Sequence, residues 1–146
     1  PKRDWSSDVC SSDLVDGRDA LDFMLDVKAN EDVAGAAVTF TNRPTDVRGT
    51  LQDSSGQPTS DYTIILFAAE ERFWTPQSRR ILTARPATDG TFSFRDLPAG
   101  DYKLVAVEDA EPDSWYDPNV LKQLTLGSMS VKITEGERKV QDIRIR

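Results

Sequence analysis

The chain has 146 residues, room for one ordinary domain and hardly for two, and its 38% hydrophobic and 29% charged residues are globular values. No apolar run approaches the roughly 18 to 20 residues a membrane-spanning helix needs, and a net charge of −7 would repel a phosphate backbone. The basic candidates Arg79, Arg80, Arg85 and Arg95 are too few to reverse that, so nucleic acid is a poor candidate for partner and none is expected. There is no histidine, which removes the usual zinc sets, the Ser-His-Asp and Cys-His arrangements and any imidazole base, and leaves only carboxylate, Lys or Tyr chemistry.

Residues 4–14, Asp-Trp-Ser-Ser-Asp-Val-Cys-Ser-Ser-Asp-Leu, match an in-frame translation of a sequencing adapter residue for residue, and Arg3 fits the preceding codon. They are set aside as a non-native segment, with residues 1–14 expected to be disordered. This segment holds Cys10, the only cysteine, and Trp5, so the remainder carries no disulfide or thiolate chemistry. The natural start is thereby lost from view, with room for a signal peptide upstream.

Residues 15–46 offer two strand candidates, 21–27 and 36–41, joined by Lys28-Ala29-Asn30-Glu31. In the first, Leu21, Phe23, Leu25 and Val27 alternate with Asp22, Met24 and Asp26, giving one apolar face. A faint likeness to the end of the chain suggests the last hairpin of a preceding module, with residues 41–45 as linker. An orphan hairpin is marginal alone and is expected to pack against residues 47–146.

From residue 47 the pattern is one of short β-rich runs punctuated by turn residues, predicting strands at about 47–53, 62–69, 81–84, 91–97, 102–108, 129–134 and 140–146. The expected fold is all-β, a seven-stranded antiparallel Greek-key sandwich with one short helix and an extra N-terminal hairpin. The 62–67 run is apolar on both faces and should be central; Phe92 and Phe94 alternate with Ser93 and Arg95 as in a half-exposed strand. At Thr88-Asp89-Gly90 a two-residue turn would oppose Arg85 to Phe94, so a three-residue loop opposing Ala84 to Phe94 is favoured, with Gly90 at positive φ and Pro86 opposite Phe92. Two longer connections, 70–80 and 109–127, each contain a tryptophan, and in a simple up-and-down path they emerge at opposite ends. In the second, Asp117 caps a helix with Pro118 in its first turn and Val120, Leu121 and Leu124 on one face.

Two motifs then carry a resemblance. Gly49-Thr50-Leu51-Gln52-Asp53 through Pro58 is similar to the opening strand and turn of the carboxypeptidase regulatory-like domains, of prealbumin-like (transthyretin-like) sandwich fold, and residues 88–104 resemble that family's D-G-x-F-x-F-x-x-L-P-x-G-x-Y-x-L core. The resemblance covers residues 47–146 and implies an exported, often tandem, accessory module of secreted, periplasmic or cell-surface proteins. The peptidase activity found beside such domains does not transfer, because its zinc ligands are absent from this sequence. The Lys-Asn isopeptide bond of sibling pilin sandwiches is unsupported too, since the first strand has no Lys and the last no Asn.

The expected function is therefore a non-catalytic interaction or spacer module whose partners are neighbouring domains of the same polypeptide or other envelope proteins, with no cofactor, no metal and no catalytic residue. The alternative is a carbohydrate-binding module. Asp113-Ser114-Trp115-Tyr116-Asp117 sets an aromatic pair between acids, suited to stacking on a sugar ring while carboxylates hold its hydroxyls, and Trp74 has the same potential. Against this, large aromatics in long loops more often staple the loop to the sheet. Glu108, Asp109, Glu111, Asp113 and Asp117 together have the oxygens for Ca²⁺, in a spacing that matches no known loop, so a solvated acidic rim is the simpler expectation.

Overall fold

The computed structural model describes residues 9–15 and 18–146, with backbone alone over 9–13. In chain order its strands are β1 (Val9–Val15), β2 (Arg18–Asp19), β3 (Ala37–Thr41), β4 (Asp46–Gln52), β5 (Tyr62–Ala68), β6 (Ile81–Ala84), β7 (Thr91–Arg95), β8 (Gly100–Glu108), β9 (Met129–Ile133), β10 (Arg138–Val140) and β11 (Ile143–Arg144), and α1 (Pro118–Thr125) is the one α-helix among the described residues. The architecture is an all-β sandwich from β4 onward.

One layer has the order β6-β5-β8-β9, all antiparallel, with Tyr62 opposite Glu108 and Ala68 opposite Tyr102. The other is centred on β4, which pairs antiparallel with β7 on one flank and parallel with β10 and β11 on the other. Alternate residues of each strand meet between the layers: Val47 and Leu51 from β4, Ile64 and Leu66 from β5, Phe92 and Phe94 from β7, Tyr102 and Leu104 from β8. Full burial of a side chain such as Leu66 is worth about 1.5 to 3 kcal/mol before entropy is subtracted. As its two-sided apolar pattern predicts, β5 is buried on both faces, Ile64 and Leu66 inward and Ile65 and Phe67 outward.

Two expectations about the sandwich are corrected. The expected last strand, 140–146, is broken into β10 and β11 at Gln141-Asp142 and runs parallel to β4, so the sandwich has eight strand segments and is not purely antiparallel. The expected hairpin from 81–84 into 91–97 does not form, because β6 belongs to β5's sheet and β7 to β4's. Gly90 does have positive φ, +78°, but its turn lets the chain cross between layers. Crossing layers removes the conflict of placing an arginine or a proline opposite a core phenylalanine: Phe92 and Phe94 line the interior while Ile81 packs on the outer face. In the 95–100 turn Gly100 has positive φ, +156°, and Asp96 is left-handed at +59°.

The front of the chain differs more. Residues 21–27 are not a strand: Asp19 Oδ1 accepts the Leu21 amide at 3.0 Å and the Asp19 carbonyl accepts the Phe23 amide at 3.0 Å, so the chain coils there and leaves the alternating pattern without a sheet edge to join. The hairpin expected between 21–27 and 36–41 is therefore absent. β3, close to the expected 36–41, pairs instead with β1, Leu14 opposite Ala37 and Val9 opposite Thr41. The disorder expected for residues 1–14 thus does not hold over 9–14; residues 1–8, with Trp5, and the side chain of Cys10 lie outside the described residues.

Candidate functional site

The outer face of the β6-β5-β8-β9 sheet carries Ile65 and Phe67 of β5, Ile81 of β6 and Val105 of β8, all buried because both long loops fold back over it. They leave from opposite ends of the sheet, as strand parity requires, yet converge: Trp74 from one and Trp115, Tyr116 and Leu121 from the other cover one apolar cluster. An ion pair between Glu71 and Lys122, 3.2 Å, links them at the surface, where two largely exposed side chains add little stability.

Each aromatic candidate has a definite place. Trp74 is 7% exposed, donates its indole Nε1–H to the Ala68 carbonyl at 2.7 Å and meets Phe67 edge-on at 5.9 Å between centroids. With its ring enclosed and its donor used, Trp74 staples the 70–80 loop and has no face open to a sugar, which corrects its candidacy. Trp115 and Tyr116 lie in a single 3₁₀ turn, half-buried against the same cluster, their rings 6.3 Å apart and tilted by 58°. Asp113 is exposed at φ +65°, and Asp117 caps α1 by accepting the Asn119 amide at 2.8 Å. So Asp113, Trp115, Tyr116 and Asp117 are brought together by chain proximity, with one carboxylate already engaged. Among the described residues no three His, Cys, Asp or Glu side chains are grouped to hold a metal ion.

The best-built polar cluster escapes sequence reasoning. Arg79 and Arg80, at the end of the Trp74 loop, close on Asp22 from the N-terminal segment. Asp22 Oδ1 accepts Arg79 Nε at 2.8 Å, and Oδ2 accepts Arg79 Nη2 and Arg80 Nε, each at 3.0 Å, with Arg80 Nη2 in ion-pair contact at 2.9 Å. The Asp22 side chain is only 2% exposed. Burial alone would push its carboxyl up, but the hydrogen bonds and charges of the two guanidiniums outweigh that and hold it below the usual carboxylate range. Asp19 takes Arg79 Nη2 at 3.0 Å as well. Beside the clamp Phe23 stacks on Phe73 at 5.4 Å, and Arg72 and Arg80 lie over the Phe73 ring at 4.6 and 4.4 Å. The Arg-Arg pair was visible in the sequence, but nothing there connects it to an aspartate 57 positions away. Arg85 and Arg95 lie elsewhere, with Arg48 around an open groove of about 620 Å³ between β6 and β7, so the four arginines form no single basic patch.

A second anchorage holds the linker. Thr45 and Asp46 are buried at 4% and 6% exposure. Thr45 accepts the Gly136 amide on its Oγ1 at 3.0 Å and the Asp96 amide on its carbonyl at 2.9 Å, while the Asp46 amide donates to the Glu137 carbonyl at 2.9 Å. The segment entering the sandwich is thus braced by two of its turns.

No family model matches the chain, and no curated protein matches it. Among solved structures it is similar to a DUF3823 family protein from Bacteroides ovatus ATCC 8483, at 21% identity over 70% of this chain and 43% of that one, with a TM-score of 0.41. A streptococcal ancillary pilin is 13% identical over 70% of this chain and 32% of its own, TM-score 0.46. A catechol 1,2-dioxygenase from Acinetobacter is 11% identical over 70% of this chain and 52% of its own, TM-score 0.42. The chain spans from about a third to about half the length of these proteins. Likeness at this level assigns neither a family nor an activity. Among the described residues no helix is long and apolar enough to cross a membrane.

Proposed function

We propose that this chain is a non-catalytic accessory module of an exported multi-domain protein, a prealbumin-like Greek-key sandwich that holds the preceding segment in a fixed direction and presents it to neighbouring domains. The observation that carries this is the braced entry: Thr45 and Asp46 are bonded to the Asp96 and Gly136-Glu137 turns, and residues 19–23 are held on the 70–80 loop. A flexible tether leaves its residues in water throughout; here residues 42–44 are exposed, but Thr45 and Asp46 are buried and bonded where the linker enters the sandwich, and Asp22 is clamped separately further up the segment, which is what a spacer requires to transmit orientation. The two segments, 15–46 as the end of a preceding module and 47–146 as the sandwich, would then act as one body.

The test is backbone ¹⁵N relaxation on the intact chain. Residues 18–23 and 46–146 are expected to report one rotational correlation time; independent tumbling of the front segment would overturn the spacer reading. The carbohydrate-binding alternative rests on Trp115 and Tyr116. A saturable response of tryptophan fluorescence to a soluble glycan, lost in Trp115→Ala, would replace the proposal with it.

A further inference from the structure

We infer that the end of the 70–80 loop is a receptor for a short acidic-aromatic peptide sequence, an aspartate followed by a phenylalanine, which residues 22 and 23 of this chain occupy. This deepens the accessory-module reading and rests on it, naming the contact through which the sandwich holds its neighbour.

Arg80, one of the two guanidiniums, is organised by the sandwich independently of the occupant. Arg80 donates Nη1 to the Ala99 carbonyl at 3.1 Å and to the Tyr102 hydroxyl at 3.4 Å, groups of the 97–102 turn and β8. Its amide is tied to the Ser78 hydroxyl at 3.2 Å, and the Ile81 amide to the Ser78 carbonyl at 3.1 Å. Trp74 fixes the other end of the loop to Ala68. A fork held this way loses little freedom when a ligand arrives. Charge then dictates the ligand. The side chains of Arg79 and Arg80 are 23% and 12% exposed, and two adjacent guanidiniums drawn that far from water repel unless an anion lies between them. Three N–H donors and a fourth guanidinium nitrogen converge on two oxygens, a geometry that suits a planar carboxylate and exceeds what the one oxygen of a neutral amide can accept. The residue after it is read by Phe73, 8% exposed, whose ring stacks with Phe23 and is held by Arg72 and Arg80. Charge selects the aspartate and the Phe73 shelf selects the aromatic.

The experiment vacates the clamp in the full chain with Asp22→Asn and Phe23→Ala, then titrates the ¹⁵N-labelled protein with a peptide of residues 18–25, following the Trp74 indole and the 71–81 amides. Saturable shifts are expected, at least tenfold weaker for a peptide carrying Asn in place of Asp22, and lost when Arg79→Gln is added to the protein. Arg79→Lys should restore part of the binding, since it keeps the charge and loses the fork. Should the double variant not fold, Asp22→Asn alone serves in its place. Absence of shifts up to millimolar peptide, or equal binding of the Asn peptide, would overturn the inference. The outcomes separate cleanly: one correlation time for the intact chain with no peptide binding to the vacated one defeats the receptor alone, whereas independent tumbling defeats the module reading beneath it.

Discussion

Tyr102 donates its hydroxyl to the carbonyl of Pro98, four residues earlier, at 2.7 Å. The ring is 1% exposed in the middle of the core, so this bond both satisfies a buried hydroxyl and closes the Pro98-Ala99-Gly100 turn against β8. Tyr102→Phe keeps the packing and strands the partner; it is expected to cost about 1 to 3 kcal/mol in chemical denaturation, without a change in m-value. An unchanged midpoint would show that the turn is held by its flanking strands alone.

The same burial governs behaviour in alkali. Burial pushes the Tyr102 phenol up to about 12, against an ordinary value of 10.0. The neutral phenol therefore favours the folded state fully below pH 10, and that contribution is lost as pH rises towards 12. Absorbance near 295 nm should show one tyrosine ionising late, together with unfolding, and that late step should vanish in Tyr102→Phe.

Gly49 stands opposite Phe92 between β4 and β7, where β10 gives way to β11 on the other flank. A Cβ there would collide with the Gln141 carbonyl and come within 2.7 Å of the Phe92 ring. Gln141 donates its amide to Arg48 and Asp142 accepts that of Thr50 at 2.8 Å, so the interrupted strand is fastened at this point and cannot step aside. Gly49→Ala should cost about 1 to 3 kcal/mol or more in thermal or chemical melting. The opening Gly-Thr pair is thus fixed by the parallel strand beside it.

Elements whose pattern is local were legible in the sequence. The two-sided apolarity of β5, the alternation of Phe92 and Phe94 and the Asp117-Pro118 helix start all follow from side-chain period and capping chemistry. Partner choice was not, because β6 and β7 have the composition of a hairpin, whereas β6 pairs with β5 and β7 with β4 through contacts distant in sequence. The Asp22 clamp was illegible for the same reason: Asp22 sits in an alternating stretch that reads as a strand, and its partners lie 57 and 58 residues on.

Acid should open that clamp late. The Asp22 carboxyl is held below its ordinary value of 3.8, so its contribution is complete above that pH and lost only as pH falls through the lowered value. Following the Asp22 ¹³Cγ shift, with amide protection of residues 19–23 as the second reading, should show both changing together and only below pH 3.8. Release of the segment at pH 4 to 5, about the ordinary range for exposed carboxylates, would mean that another acid holds it.

Deleting residues 1–14 should leave the melting temperature of the sandwich unchanged within about a degree, a small fraction of the shift that 1 kcal/mol produces in a domain of this size. The residues of both core clusters lie between Val47 and Ile143. β3 presents Val38 and Phe40 at 52% and 44% exposure, so its pairing with β1 buries little apolar surface on its side, and a ladder without a buried face is marginal in water. The Asp22 clamp and Val15, which is 5% exposed, both survive the deletion. Hydrogen exchange should therefore quicken at residues 37–41, where β1 had been paired, while 19–23 and 46–146 keep their protection. A loss of several degrees would show that the strand from residues 9–15 supports the core, and that the adapter-like segment had become part of the fold.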